Sequence, residues 1–88
     1  MMGEKVYVSV LATFDREGKV KPMRLRWTDG RTYDIDRVLE VRPAPSLKAG
    51  GQGQRYTVRI QGKERFLFLE GTPEGIQGRL RWFVEGRA

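Results

Sequence analysis

A period-two alternation of polar and apolar residues, cut at short intervals by glycine-containing turns, restricts the fold of this chain more than any other feature. Val6, Val8, Val10, Ala12 and Phe14 share one side of a first long strand, with Tyr7 and Leu11 on the other. In "VKPMRLRW", Met23, Leu25 and Trp27 share a face and Arg24 and Arg26 point the opposite way. Pro22 has no N–H to give a ladder, which places it at an edge or a bulge. The third segment carries Tyr33, Ile35, Leu39 and Val41 inward, interrupted by Arg37. That interruption predicts a bend or bulge near Asp36–Arg37, where a strand turns a barrel corner.

Further on, Tyr56, Val58 and Ile60 alternate with Arg55, Thr57 and Arg59. "RFLFLE" is apolar on both faces, as in a central or barrel strand, and "RLRWFVEG" aligns Leu80, Trp82 and Val84. The breaks match turn chemistry. "DREGK" offers Gly18, Asp29-Gly30 in "WTDGRTY" suits a two-residue type I′ hairpin, and Gln61-Gly62 is another tight turn. The prolines of "RPAPS" end the third strand, and "EGTPEGIQG" reads as a long loop. About six short, mostly antiparallel strands joined by hairpins predict one all-β domain over residues 1–88, a small barrel-like or sandwich fold.

Composition narrows the chemistry. An 88-residue chain with 39% hydrophobic residues fits one small domain with a core. The chain has neither cysteine nor histidine. Disulfides and thiolate metal sites are excluded, and the usual zinc ligand and neutral-pH acid–base group are missing. No metal or cofactor is implied, and the expectation is a protein that is not an enzyme. The net charge of +6 favours nucleic acid, anionic membrane surfaces or acidic proteins as partners. Twelve of the 17 basic residues are arginine, a bias that a GC-rich genome also produces. "VYVSVLATF" lacks the features of a signal sequence, and no run is long enough to span a membrane. A cytoplasmic protein without membrane association is expected.

The arginines give the leading functional reading. Arg24 and Arg26, Arg55 and Arg59, and Arg79 and Arg81 occupy alternate positions on three predicted strands. On a shared sheet face they make a basic platform, with Thr57 and Phe83 nearby. Single-stranded nucleic acid binds such surfaces by phosphate pairing and base stacking, and the planar guanidinium suits both. A solvated face whose cations guard edge strands is the plainer use of the same residues. Arg24, Arg26, Lys48, Arg55, Arg59 and Arg81 are the candidate phosphate contacts, with Phe83 or Tyr56 as stacking residues.

The glycine run in "SLKAGGQGQRYTVRI" is not a nucleotide-binding P-loop. Lys48 precedes the glycines, and a strand follows where a helix is needed. Glycine amides beside Lys48 and Arg55 could form an anion-binding nest, or the segment is a plain connection between strands. Asp34, Asp36 and Glu40 share a strand parity, but ion pairing with the many arginines is their ordinary use. Ser46 and Lys48 match a Ser–Lys dyad only in residue type.

From Trp27 onward the chain resembles a group of short, uncharacterised bacterial proteins. The likeness lies in "WTDGRTYDIDRVLEVRPAPSLKAGGQGQRYTVRI", in "GKERFLF" and in the closing "WFVE", with "SLKAGG" the most distinctive stretch. The chain departs from their pattern in its longer last hairpin, "EGTPEGIQGRLRW". The resemblance implies a compact all-β bacterial domain and carries no activity. The leading expectation is therefore binding of RNA or single-stranded DNA on a basic sheet face. The alternative is an interaction module that forms a homodimer or docks an acidic protein, motivated by Tyr7, Leu11, Leu67 and Leu69 on second strand faces.

Overall fold

The computed structural model describes residues 4–44, 53–71 and 80–86. These form seven strands and contain no helix: β1 (Glu4–Phe14), β2 (Val20–Arg26), β3 (Thr32–Asp34), β4 (Arg37–Pro43), β5 (Gly53–Ile60), β6 (Lys63–Glu70) and β7 (Arg81–Gly86). Every ladder is antiparallel, in the order β3-β2-β1-β7-β6-β5-β4, and the sheet curls into a half-barrel.

The two edge strands of that order, β3 and β4, are separated in the chain only by Ile35 and Asp36. The Ile35 N–H donates to the Met23 carbonyl at 2.9 Å, and the next N–H, of Asp36, donates to the Arg59 carbonyl at 2.9 Å. Adjacent residues thus extend the ladders at opposite edges, and one bent segment draws the curled sheet together. This is the barrel corner expected from Arg37, one residue earlier. It divides the third predicted strand in two, which is why there are seven strands rather than six.

The core fills the concave side. Leu25, Tyr56, Val58, Leu67, Leu69 and Trp82 form its buried cluster, with Val8, Val10, Tyr33, Ile35 and Val84 packed against it. Burying each large aliphatic side chain contributes about 1.5–3 kcal/mol. The Tyr56 ring lies 5.3 Å from that of Trp82. Its hydroxyl, 3.0 Å from the Val20 carbonyl and from Gln54 Oε1, is satisfied inside the fold. Tyr56 is therefore a core residue, and its expected role as a stacking surface is withdrawn. Leu67 and Leu69 are likewise buried and leave the set of exposed second-face residues; Tyr7 and Leu11 remain exposed.

Two bulges account for other departures from strict alternation. The β1–β2 register shifts beside Leu11 and Ala12, where Pro22 faces Ala12 and Met23 is the extra, exposed residue. Pro22 thus occupies the bulge its missing N–H demands. On β4 the register steps from Val38 to Glu40, so Leu39 is the extra residue and is exposed rather than inward. Val41 and Phe14 are also exposed, against expectation.

The turn at Asp29-Gly30 differs from the expected type I′ form. The Gly30 N–H donates to the Trp27 carbonyl, and the Trp27 N–H donates to the Arg31 carbonyl at 2.8 Å. Only Gly30 has a positive φ there, as in a type I turn followed by a glycine bulge. The type I′ pattern occurs instead at Gln61-Gly62, with φ of 51° and 77°. Gly53, last of the glycine run, answers to space. A Cβ there would lie 2.9 Å from the Ala44 carbonyl oxygen and 3.0 Å from that of Leu69. Ser46, Lys48 and most of the glycine loop, together with Arg79 and the expected loop after Gly71, lie outside the described residues.

Candidate nucleic-acid interface

The convex side of the sheet carries the polar parity of every strand, and the register places its residues in rows. One row runs from Tyr7 on β1 through Phe83 on β7, Phe68 on β6 and Arg55 on β5 to Arg42 on β4. A neighbouring row places Phe66 opposite Thr57, and Thr57 opposite Glu40. Next to it, Arg37 faces Arg59, which faces Glu64. Alternation thus puts aromatic rings in the middle of the convex face and arginines on β4 and β5.

The rings pack on one another and under cations. Phe68 and Phe83 stack with centroids 4.9 Å apart, and Tyr7 meets Phe83 edge-on at 5.8 Å. The Arg81 guanidinium lies 3.7 Å from the Tyr7 centroid, Arg55 lies 4.6 Å from Phe66, and the Lys5 ammonium sits 4.8 Å from Phe83. Cations over ring faces are held there by the aromatic quadrupole. Phe83 is only 8% exposed, covered by these neighbours, so it supports the platform and does not present a stacking face itself. Phe66, at 52% exposure, presents the open ring, and Tyr7 is the second accessible one.

Charge is distributed unevenly across this face. On the β1–β7 side, Lys5 Nζ donates to Glu70 at 3.0 Å and the Tyr7 hydroxyl donates to the same carboxylate at 3.2 Å. That hydrogen bond raises the Lys5 pKa and holds the Glu70 carboxyl below its ordinary value, in each case against a smaller opposing effect of burial. On the β4–β5 side, Arg42 faces Arg55 and Arg37 faces Arg59. Like charges directly opposite on a sheet destabilise it. Arg42 bonds Glu40 at 2.8 Å, but Arg37, Arg55 and Arg59 have no ion pair among the described residues. The Arg55 Nε is buried and has no hydrogen-bond partner among the described residues.

The arginines expected to act together are therefore divided. Arg55, Arg59 and Arg81 border the aromatic centre, with β6 between β5 and β7. Arg24 and Arg26 sit on β2, beyond β1. Four strand spacings separate β2 from β5, about 19 Å along the curled sheet. Arg24 is also engaged by Asp34 at 2.7 Å, so the carboxylates Asp34 and Glu40 serve in ion pairs as their composition indicated. Lys48 lies outside the described residues.

Sequence reading missed Arg37, Arg42 and Phe66. Arg37 breaks an inward series, and that break is itself the signal of an outward arginine. Phe66 was hidden in "RFLFLE", where two apolar parities conceal which one faces out. No protein-family model, curated protein or solved structure matches this chain.

Proposed function

We propose that this protein is a non-enzymatic binding domain for RNA or single-stranded DNA, which it takes on the convex face of β4, β5, β6 and β7. The observation that carries the reading is the meeting of crowded arginines, three of them without an ion pair among the described residues, with exposed aromatic rings. Arg37, Arg42, Arg55 and Arg59 crowd the β4–β5 side, and the open ring of Phe66 adjoins them under Arg55. A phosphate backbone relieves the repulsion between facing arginines and supplies the anion that Arg55 lacks. Unstacked bases then lie on Phe66 and Tyr7, since base–aromatic stacking tolerates any base. Arg81 adds a cation at the far side of the aromatic row. Arg26 is a rim contact, reached only by a longer strand.

The test is a fluorescence titration with labelled single- and double-stranded oligonucleotides at two salt concentrations. The proposal expects saturable binding of the single strand at low salt, weaker binding of the duplex, and a steep loss of affinity as salt rises. No saturable single-strand binding at low salt would falsify it.

A second reading is favoured by one specific feature. Leu39 and Val41 are exposed on β4, the last strand in the sheet order. A second copy covering that edge makes a homodimer and hides part of the arginine face. Light scattering separates the two: a concentration-independent monomer removes this reading and leaves the first intact.

A further inference from the structure

The ladder between β6 and β7 stops early. It joins Phe68 to Phe83, Leu69 to Trp82 and Glu70 to Arg81. Beyond Phe68, β6 continues back to Lys63 paired with β5, and beyond Phe83, β7 continues to Gly86 paired with β1. The two strands splay, and the gap opens onto a cleft of about 590 Å³. Its inner wall is apolar and aromatic, from Leu25, Trp27 and Tyr33, with Ile60 and Val84 at the sides. That volume falls within the ordinary range for small-molecule sites, about 300–1,000 Å³.

The charges at the mouth are sorted by strand parity. Lys63 and Arg65 share the inward parity of buried Leu67 and Leu69, and they face Ile60 and Val58 across the β5–β6 ladder. Neither has an ion pair among the described residues. Glu64 and Glu85 also border the cleft, but on the outward parity, opposite Arg59 and Lys5 respectively. The acids thus lie on the outward parity opposite basic residues, and the inward parity carries two cations without an ion pair among the described residues, beside an apolar and aromatic wall.

We infer that the β6–β7 cleft is a binding site for a small amphiphilic anion, an aromatic or aliphatic body bearing one carboxylate or sulfonate. The body lies against Leu25, Trp27 and Tyr33, and the anionic head meets Lys63 and Arg65. Tyr33 and Trp27 add polar edges that orient it without adding negative charge. The site depends on the splay of two strands and on Lys63 and Arg65, not on the β4–β5 arginines. It shares Phe66 with the nucleic-acid face, but the charge variant below leaves Phe66 in place, so the two readings fail separately.

The test uses 8-anilinonaphthalene-1-sulfonate and its uncharged relative N-phenyl-1-naphthylamine as fluorescent probes of the folded protein. The sulfonate is expected to bind saturably with one site per chain, about tenfold more tightly than the neutral dye, the factor expected for one well-placed charge contact. In the double variant Lys63→Glu, Arg65→Glu that preference disappears while binding of the neutral dye persists. Both side chains are exposed, and an unchanged circular dichroism spectrum and melting temperature establish that the variant is folded. In the nitrogen–proton correlation spectrum the Trp27 indole resonance shifts as the sulfonate is added. Three results overturn the inference: no saturable binding, an anion preference that survives the double variant, or bound dye with an unmoved Trp27 resonance.

Discussion

The convex face has two halves that use charge in opposite ways. On the β1–β7 side, Lys5, Glu70 and the Tyr7 hydroxyl form a closed set of hydrogen bonds beside the ring of Phe83. On the β4–β5 side, Arg37 faces Arg59 and Arg42 faces Arg55, with Glu40 the one carboxylate ion-paired there among the described residues. The first half is what a sheet does with charge for its own stability. The second half costs stability, which is the cost that an outside anion would offset on the proposed reading. On that reading, the satisfied charges serve the fold and the unsatisfied ones meet the ligand.

The sharpest way to break the comparison is to reverse the unsatisfied half. Arg55→Glu with Arg59→Glu is expected to weaken single-stranded oligonucleotide binding on the order of a hundredfold, by removing two phosphate contacts and adding two repulsive charges. The same change turns the oppositions to Arg37 and Arg42 into opposite-charge ones but sets a new carboxylate against Glu64, so the melting temperature should stay near its native value. A fall in stability together with retained binding would reverse the roles assigned to the two halves.

Next in size is Gly53→Val. Its Cβ meets the carbonyl oxygens of Ala44 and Leu69, so β4, β5 and β6 must shift around it. Overpacking of this kind costs about 1–3 kcal/mol, readable by urea denaturation. Because β4 and β5 carry the arginines, oligonucleotide affinity should fall with it.

Phe66→Ala removes the open ring and leaves every charge in place. A loss of about tenfold in affinity, with an unchanged salt dependence, is expected from base–aromatic stacking. An unaltered affinity would remove stacking from the account and leave electrostatics alone.

The smallest effects belong to the satisfied half. Glu70→Gln loses the ion pair with Lys5, and for a partly exposed pair the stability change stays below about 1 kcal/mol. The pH dependence has a definite sign. The Glu70 carboxyl titrates below its unfolded value because of the Lys5 hydrogen bond. Its contribution is therefore present above the unfolded carboxylate pKa, and it is lost as pH falls through the lower folded value. Tyr56 behaves in the opposite range. Burial raises its pKa, so its contribution is complete below about pH 10 and is lost as pH rises toward the folded value. Thermal melts across pH read both, and Glu70→Gln should flatten the acid limb and remove the alkaline contribution of Lys5, whose pKa that hydrogen bond raises, while leaving the Tyr56 contribution in place.

Much of the fold was legible because alternation and turn chemistry are local properties. Val6 to Ala12, Tyr56 to Ile60 and Trp82 to Val84 were placed on their strands by period alone, and Pro22 by its missing N–H. The corner at Ile35–Asp36 was legible from one out-of-phase arginine. Bulges were not, because Met23 and Leu39 differ from neighbouring apolar residues only in which register the partner strand selects. "RFLFLE" shows the same limit, since two apolar parities give no local sign of which faces the core. The candidate interface was half legible. The basic residues stand in the sequence, but cross-strand neighbours such as Arg42 and Arg55 are set by sheet order, which no local pattern contains.

The most direct test of the central claim is the salt dependence of oligothymidylate binding, compared between the native chain and Arg55→Gln, Arg59→Gln. A log–log slope of several units is expected for the native chain, falling by about 1.4 in the variant at about 0.7 per phosphate contact on a single strand. A native chain that does not bind at low salt, or a slope that the two substitutions leave unchanged, contradicts the assignment of the β4–β5 arginines to nucleic acid.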